Sequence, residues 1–66
     1  RELASRLQLC VEQLPTAWRA VLALREGEGL SYEAIAKAMD VALGTVRSRL
    51  ARAREALLEC IEGTAR

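Results

Sequence analysis

Arg47, Arg49, Arg52 and Arg54 stand within eight residues of one another, with no acid among them and with Thr45, Ser48 and Ala51 close by. Guanidinium groups pair with phosphate oxygens and can make two parallel hydrogen bonds to guanine, while small and hydroxylated neighbours let a backbone approach closely. The chemistry open to such a run is recognition of a polyanion rather than the making or breaking of bonds. No histidine occurs, and neither a glycine-rich phosphate loop nor a carboxylate pair placed with a nucleophile is present, so nothing points to an enzyme. Cys10 and Cys60 lie near opposite ends, outside any Cys-x-x-Cys arrangement, and fall short of the roughly four ligands of a structural zinc site. They are expected to be small apolar fillers on helices, in preference to a regulatory disulfide. No metal, cofactor or catalytic residue is assigned.

Whether the arginines form a surface depends on the element that carries them. At about 100° per residue, Val46, Leu50, Ala53 and Leu57 fall on one side of a helix that starts at Leu43 or Gly44 and runs to about Ile61. The other side then presents Gly44, Thr45, Ser48, Ala51, Arg52 and Glu55, with Arg47 at one margin and Arg49 on the opposite flank. Upstream, Leu30, Ile35, Ala36 and Met39 predict a short amphipathic helix from Tyr32 to Met39, capped by Ser31 and favoured by Glu33 at its positive end. Asp40 separates the two helices, and Asp is among the few residues that tolerate a left-handed conformation. Two amphipathic helices crossing at a tight polar break make a helix-turn-helix over about residues 31–61, whose second helix suits the major groove of B-DNA.

On that footing Arg47, Ser48 and Arg52 are candidates for base contact. Ser31, Tyr32 and Thr45 are candidates for phosphate contact, as are Arg25, if the end of its helix approaches the duplex, and Arg49 on its flank. Arg54 is read as a surface arginine that lays its stem over the core or pairs with a Glu one turn away. Tyr32 reads equally well as a half-buried surface aromatic. Trp18 belongs to the core or faces a partner.

The rest of the chain supplies the support. Leu3, Leu7, Cys10, Val11 and Leu14 recur at helical spacing and predict a first helix over Glu2 to Gln13 with that stripe facing inward. Pro15 opens a second helix that continues to Glu26 and stops at Gly27 and Gly29. Gly63 is expected to end the fourth helix, with residues 63–66 frayed. In 66 residues, 52% are hydrophobic, yet Trp18 and Tyr32 are the only aromatics, so the core must be built from aliphatic side chains on helices. The formal net charge of +1 conceals the segregation that matters, because Glu55, Glu59 and Glu62 follow the arginine run.

Leu14 to Leu57 closely resembles region 4 of bacterial extracytoplasmic-function (ECF) sigma factors. The resemblance is carried by Leu14-Pro15, Leu24-Arg25-Glu26, Gly29-Leu30-Ser31-Tyr32-Glu33 and Gly44-Thr45-Val46-Arg47-Ser48-Arg49-Leu50, in that order and spacing. It implies an all-α, four-helix domain with a helix-turn-helix of the winged-helix-like superfamily. It further implies binding to the minus-35 element of promoter DNA while attached to RNA polymerase core through the beta flap, with an anti-sigma factor as a further partner. Arg47, Ser48, Ala51 and Arg52 fall at the family's base-facing positions, and Arg25, Ser31, Tyr32, Glu33 and Thr45 near the backbone. Ala42 stands where the family often has Pro, and Ala51 where some members carry a bulky side chain, so the promoter sequence does not transfer.

The other function class is a helical protein-docking module that uses the Trp18 face and the leucine-rich first helix and has little DNA affinity of its own. The C-terminal domain of a response regulator is a further DNA-binding alternative, disfavoured by the run from Arg47 to Arg54. Because the chain begins at Arg1 without Met and lacks the polymerase-clamping and promoter-melting domain of such factors, it is expected to be one domain, 1–66, of a longer polypeptide. No apolar run approaches the roughly 18 to 20 residues that cross a bilayer, so no membrane insertion is expected and the location is read as the bacterial cytoplasm.

Overall fold

The aliphatic periodicity and the chain's reversals produce α1 (Glu2–Glu12), α2 (Thr16–Leu22), α3 (Tyr32–Met39) and α4 (Leu43–Thr64) in the computed structural model, which describes residues 2–64. Among the described residues every regular element is helical. The all-α class and the four helices are as expected. The core is Leu14, Val21, Leu22, Ile35, Val46, Leu50 and Ala53, each buried, with Val11, Trp18, Leu30, Tyr32, Met39 and Leu57 among the residues packed partly buried around it. Trp18 is therefore a core-flanking residue.

Between α1 and α2 the chain turns at Leu14-Pro15. Pro15 has an extended ψ of 145° and precedes the first helical residue, and its carbonyl accepts from the Trp18 and Arg19 N–H groups, each at 3.0 Å. A proline has no N–H to lose at this place, so it fixes φ without disturbing the first turn. The end of α1 is held from the other side by Arg19, whose Nη1 donates to the Glu12 carbonyl at 3.1 Å.

The second helix differs from its expected form. The α-helical bonding stops at Leu22 and one π-helical turn, Ala23–Gly27, takes its place, with the Glu28 N–H donating to the Ala23 carbonyl at 3.1 Å. Gly29, at φ 73°, then reverses the chain, so that the Leu30 N–H reaches back to the Leu24 carbonyl at 3.1 Å. Only glycine takes that φ without steric cost.

The turn between α3 and α4 matches its expectation. Ser31 accepts from the Ala34 N–H at 3.1 Å and opens α3. Asp40 takes the left-handed conformation, φ 57° and ψ 50°, and the Val41 N–H donates to the Ala36 carbonyl at 3.0 Å while the Asp40 N–H donates to Lys37 at 3.2 Å. These two bonds satisfy carbonyls that the end of a helix leaves open.

Several expectations are corrected. α4 does not stop near Ile61, because Gly63 lies inside it and the helix reaches Thr64; the expected fraying of Ala65 and Arg66 falls outside the described residues. A glycine lowers helix propensity but ends a helix only where the backbone turns left-handed, and Gly63 does not. Leu3 and Leu7 share the stripe of Cys10 yet are exposed, as is Leu9, because the half of α1 that carries them is not covered by another element. Cys10 and Cys60 are joined in a disulfide, and so are not independent fillers. Spacing along one chain could not reveal that α1 lies against the far end of α4.

The left-handed residue generates a direct expectation. Asp40→Val should lower the unfolding free energy by about 1–2 kcal/mol, the cost of a β-branched residue in that conformation, whereas Asp40→Gly should not lower it. Urea unfolding of the two variants beside the parent chain measures both.

Candidate nucleic-acid interface

The inner face of α4 is settled by Val46, Leu50 and Ala53, all at 1% exposure or less. A helix is rigid enough that fixing one face fixes the other, so Gly44, Ser48, Ala51, Arg52 and Glu55 stand exposed on the outward side. Arg47 is exposed at one margin, and Thr45 and Arg49 are half-buried at the other. Gly44 to Arg52 covers about 12 Å of helix, close to the width of the B-DNA major groove. Beyond Arg52 the surface becomes acidic with Glu55, Glu59 and Glu62, all exposed. The candidate strip therefore has a basic N-terminal half and an end.

Within the described residues Arg47, Arg49 and Arg52 make no ion pair, whereas Arg54 does. Its Nη2 lies 2.6 Å from Oε2 of Glu26, in the π-helical turn, a pair 28 residues apart in sequence. The guanidinium is held above its ordinary pKa, first by the Glu26 carboxylate and then by the Tyr32 hydroxyl. Arg54 is thus a surface arginine with a structural contact, as expected, but its partner is not a Glu one turn away. Sequence reasoning missed Glu26 because the pair spans two elements. Its place beside Arg25 in Leu24-Arg25-Glu26 was the available signal.

Arg25 is also engaged inside the molecule. Its Nη1 donates to the Leu30 carbonyl at 2.9 Å, and its guanidinium lies 5.1 Å from the centroid of the Tyr32 ring. Tyr32 is half-buried with one arginine over its face and the Arg54 charge beside its hydroxyl. Arg25 and Tyr32 are therefore occupied in bracing the π turn against α3 and α4. Ser31 and Glu33 are exposed at the head of α3, although the Ser31 hydroxyl oxygen is already engaged in capping. The strip on α4 brings together Arg47, Ser48, Ala51 and Arg52, and the head of α3 supplies Ser31 and Glu33 as a separate group. Among the described residues no group of three or more His, Cys, Asp or Glu side chains is placed to hold a metal ion, and no helix is long and apolar enough to cross a membrane.

Residues 4–57 match the family described as Sigma-70, region 4. The RNA polymerase sigma-H factor of Pseudomonas aeruginosa is 48% identical over 61 residues, which cover 92% of this chain and 32% of that protein. The ECF RNA polymerase sigma-E factors of Escherichia coli K12 and Salmonella typhi are each 57% identical over 47 residues, covering 71% of this chain and 25% of those proteins. The chain thus spans about a third or less of the length of these curated relatives.

The ion pair between Arg54 and Glu26 is open to solvent, with side-chain exposures of 46% and 59%. A double-mutant cycle with Arg54→Met and Glu26→Gln should give a coupling of about 0.2–1 kcal/mol that shrinks as salt is raised, because exposed pairs are weak and screened. Denaturant unfolding of the four proteins at two salt concentrations measures it.

Proposed function

The chain belongs to the sigma-70 region 4 family, in its ECF branch, and from that premise we propose that it binds promoter DNA, at the minus-35 element, as the C-terminal DNA-binding region of a bacterial cytoplasmic sigma factor. The observation that carries this proposal is the exposed strip of Gly44, Ser48 and Ala51 between Arg47 and Arg52, two arginines with no ion-pair partner among the described residues. Small side chains let α4 enter the major groove, and the two guanidinium groups are the only long donors on the strip.

In this proposal Arg47, Ser48, Ala51 and Arg52 face the bases. Arg52 is the best placed for paired hydrogen bonds to a guanine. Thr45 and Arg49 meet phosphates on one flank, and Ser31 and Glu33 lie near the backbone at the head of α3, where the helix N-terminus favours an anion. Arg25 and Tyr32 act on the backbone through the brace they form, not as free donors. Glu55, Glu59 and Glu62 repel phosphate and limit the docked length to the first half of α4. The chain does no catalysis; it positions RNA polymerase.

Exposed Leu3, Leu7 and Leu9 on α1 and Leu58 on α4 favour a second, compatible role in protein docking. The partners proposed for it are RNA polymerase core, through the beta flap, and an anti-sigma factor.

Selection of bound duplexes from a random pool with the 66-residue chain, at low and moderate salt, tests the DNA proposal. An enriched site of about one major-groove face is expected, and Arg52→Ala should cost about 1–3 kcal/mol there while relaxing the preference at one base pair. Equal losses on the selected site and on random DNA would remove base reading from Arg52. If the folded chain enriches nothing, docking becomes its main role.

A further inference from the structure

The Cys10–Cys60 disulfide joins residues 50 apart in sequence, with Cα atoms 5.9 Å from one another. Promoter binding makes no use of it. What it fastens is α1, which packs along α4 but buries a single side chain, Cys10 itself. The aliphatic core that unites α2, α3 and α4 contains no buried residue of α1, which contributes only partly buried Val11 at its edge. Cys10 is the one buried side chain of α1, whereas Leu3, at 62% exposure, and Leu9, at 59%, are open to solvent. The C-terminal end of α1 is also held by the hydrogen bond from Arg19 Nη1 to the Glu12 carbonyl, and Gln13 Oε1, just beyond it, lies 4.0 Å from Cys60 Sγ. The buried residues of the helix-turn-helix core, Ile35, Val46, Leu50 and Ala53, all come from α3 and α4.

We propose that Cys10 and Cys60 form a reversible redox modification site, oxidised by a hydroperoxide and reopened by a small thiol, which docks α1 on α4 when closed and frees it when open. Cys60 is half-buried and Cys10 is buried at 2% exposure, so Cys60 is assigned the first reaction. The Cys60 thiolate attacks one peroxide oxygen, the O–O bond breaks, and hydroxide leaves and takes up a proton as water, giving a sulfenic acid. The Cys10 thiolate then attacks that sulfur, the S–S bond forms, the S–O bond breaks and a second water departs. Two thiols and one hydrogen peroxide become one disulfide and two waters; the sulfurs lose two electrons and the peroxide gains them.

In a reducing compartment such a bond is transient and responsive, whereas in an oxidising one it would be permanent. The choice of the first rests on the cytoplasmic location proposed above. The site acts on one end of α4 only. Arg52 lies about 12 Å along the helix from Cys60 and Ser48 about 18 Å, so opening the bond changes the leucine-bearing α1 and leaves the basic strip in place.

The test uses the 66-residue chain without DNA, so it is separate from the promoter proposal. Hydrogen peroxide added to the reduced chain should remove two free thiols per molecule and leave a monomer. Glutathione buffers should open and close the bond within the range of cellular ratios. On opening, α1 amides should lose hydrogen-exchange protection by roughly tenfold or more, while the amides of Ile35, Val46 and Leu50 remain protected, and melting should fall by about 10–20 °C. Cys60→Ser should reproduce the open state without altering the buried Cys10. Several results would overturn the proposal: crosslinked dimers, a bond that stays closed in excess reduced glutathione, unchanged protection of α1, or loss of protection throughout the open chain, which would make the disulfide a permanent staple.

Discussion

Everything on the proposed DNA-facing surface depends on one packing constraint, the burial of Ile35 on α3 against Val46 and Leu50 on α4 across the Asp40 turn. Each of these side chains is sealed from solvent, and a fully buried aliphatic side chain of this size contributes about 1.5–3 kcal/mol. The left-handed backbone at Asp40 is what lets the helices cross closely enough for that burial, and the 3.0 Å bond from Val41 to Ala36 holds the crossing. Once Val46 and Leu50 are fixed inward, helix geometry leaves Ser48, Ala51 and Arg52 no direction but outward. The surface is a consequence of the core.

Charge is arranged around that geometry with some economy. A net charge of +1 is too small to draw the whole chain to a polyanion, so any attraction must be local. Arg54 is drawn aside by Glu26, Arg25 is turned back onto Leu30 and Tyr32, and the acids from Glu55 onward cover the second half of α4. Unpaired positive charge is thereby concentrated near Arg47 and Arg52. The weak energy of the exposed Arg54–Glu26 pair is compatible with this arrangement, since what matters is where Arg54 points more than how much stability the pair adds.

The helix-turn-helix was legible in the sequence because it rests on local rules. Apolar spacing at Ile35, Val46, Leu50 and Ala53, a Ser at the head of α3 and an Asp at the reversal each act within a turn or two of themselves, and each is where it was expected. The features that were not legible are set by distant contacts. The π turn is a change of hydrogen-bond partner that leaves no periodic trace, the Glu26–Arg54 pair spans 28 residues, and the disulfide spans 50. Leu3 and Leu7 show the same limit from the other side. Their spacing is that of a buried stripe, but a stripe is buried only where another element reaches it.

That last point also explains why α1 and the turn motif obey different physics. The packing of α3 on α4 is cooperative, because Ile35, Val46 and Leu50 share neighbours and none can leave alone. α1 packs along α4 but adds only the partly buried Val11 to that cluster, so in the proposed switch its docking is a separate equilibrium biased by the covalent bond. A local equilibrium of this kind can shift without crossing the global unfolding barrier. The two functions proposed for the chain therefore sit on opposite ends of α4: the end that closes the core carries the strip proposed for DNA, and the end joined to α1 by the disulfide carries exposed Leu58 beside a helix of exposed leucines. A rigid helix joins them, and the core residues between them, Leu50 and Ala53, are buried in one cluster with Val21 and Leu22 of α2 and Ile35 of α3, which is why the proposed change is confined to one end.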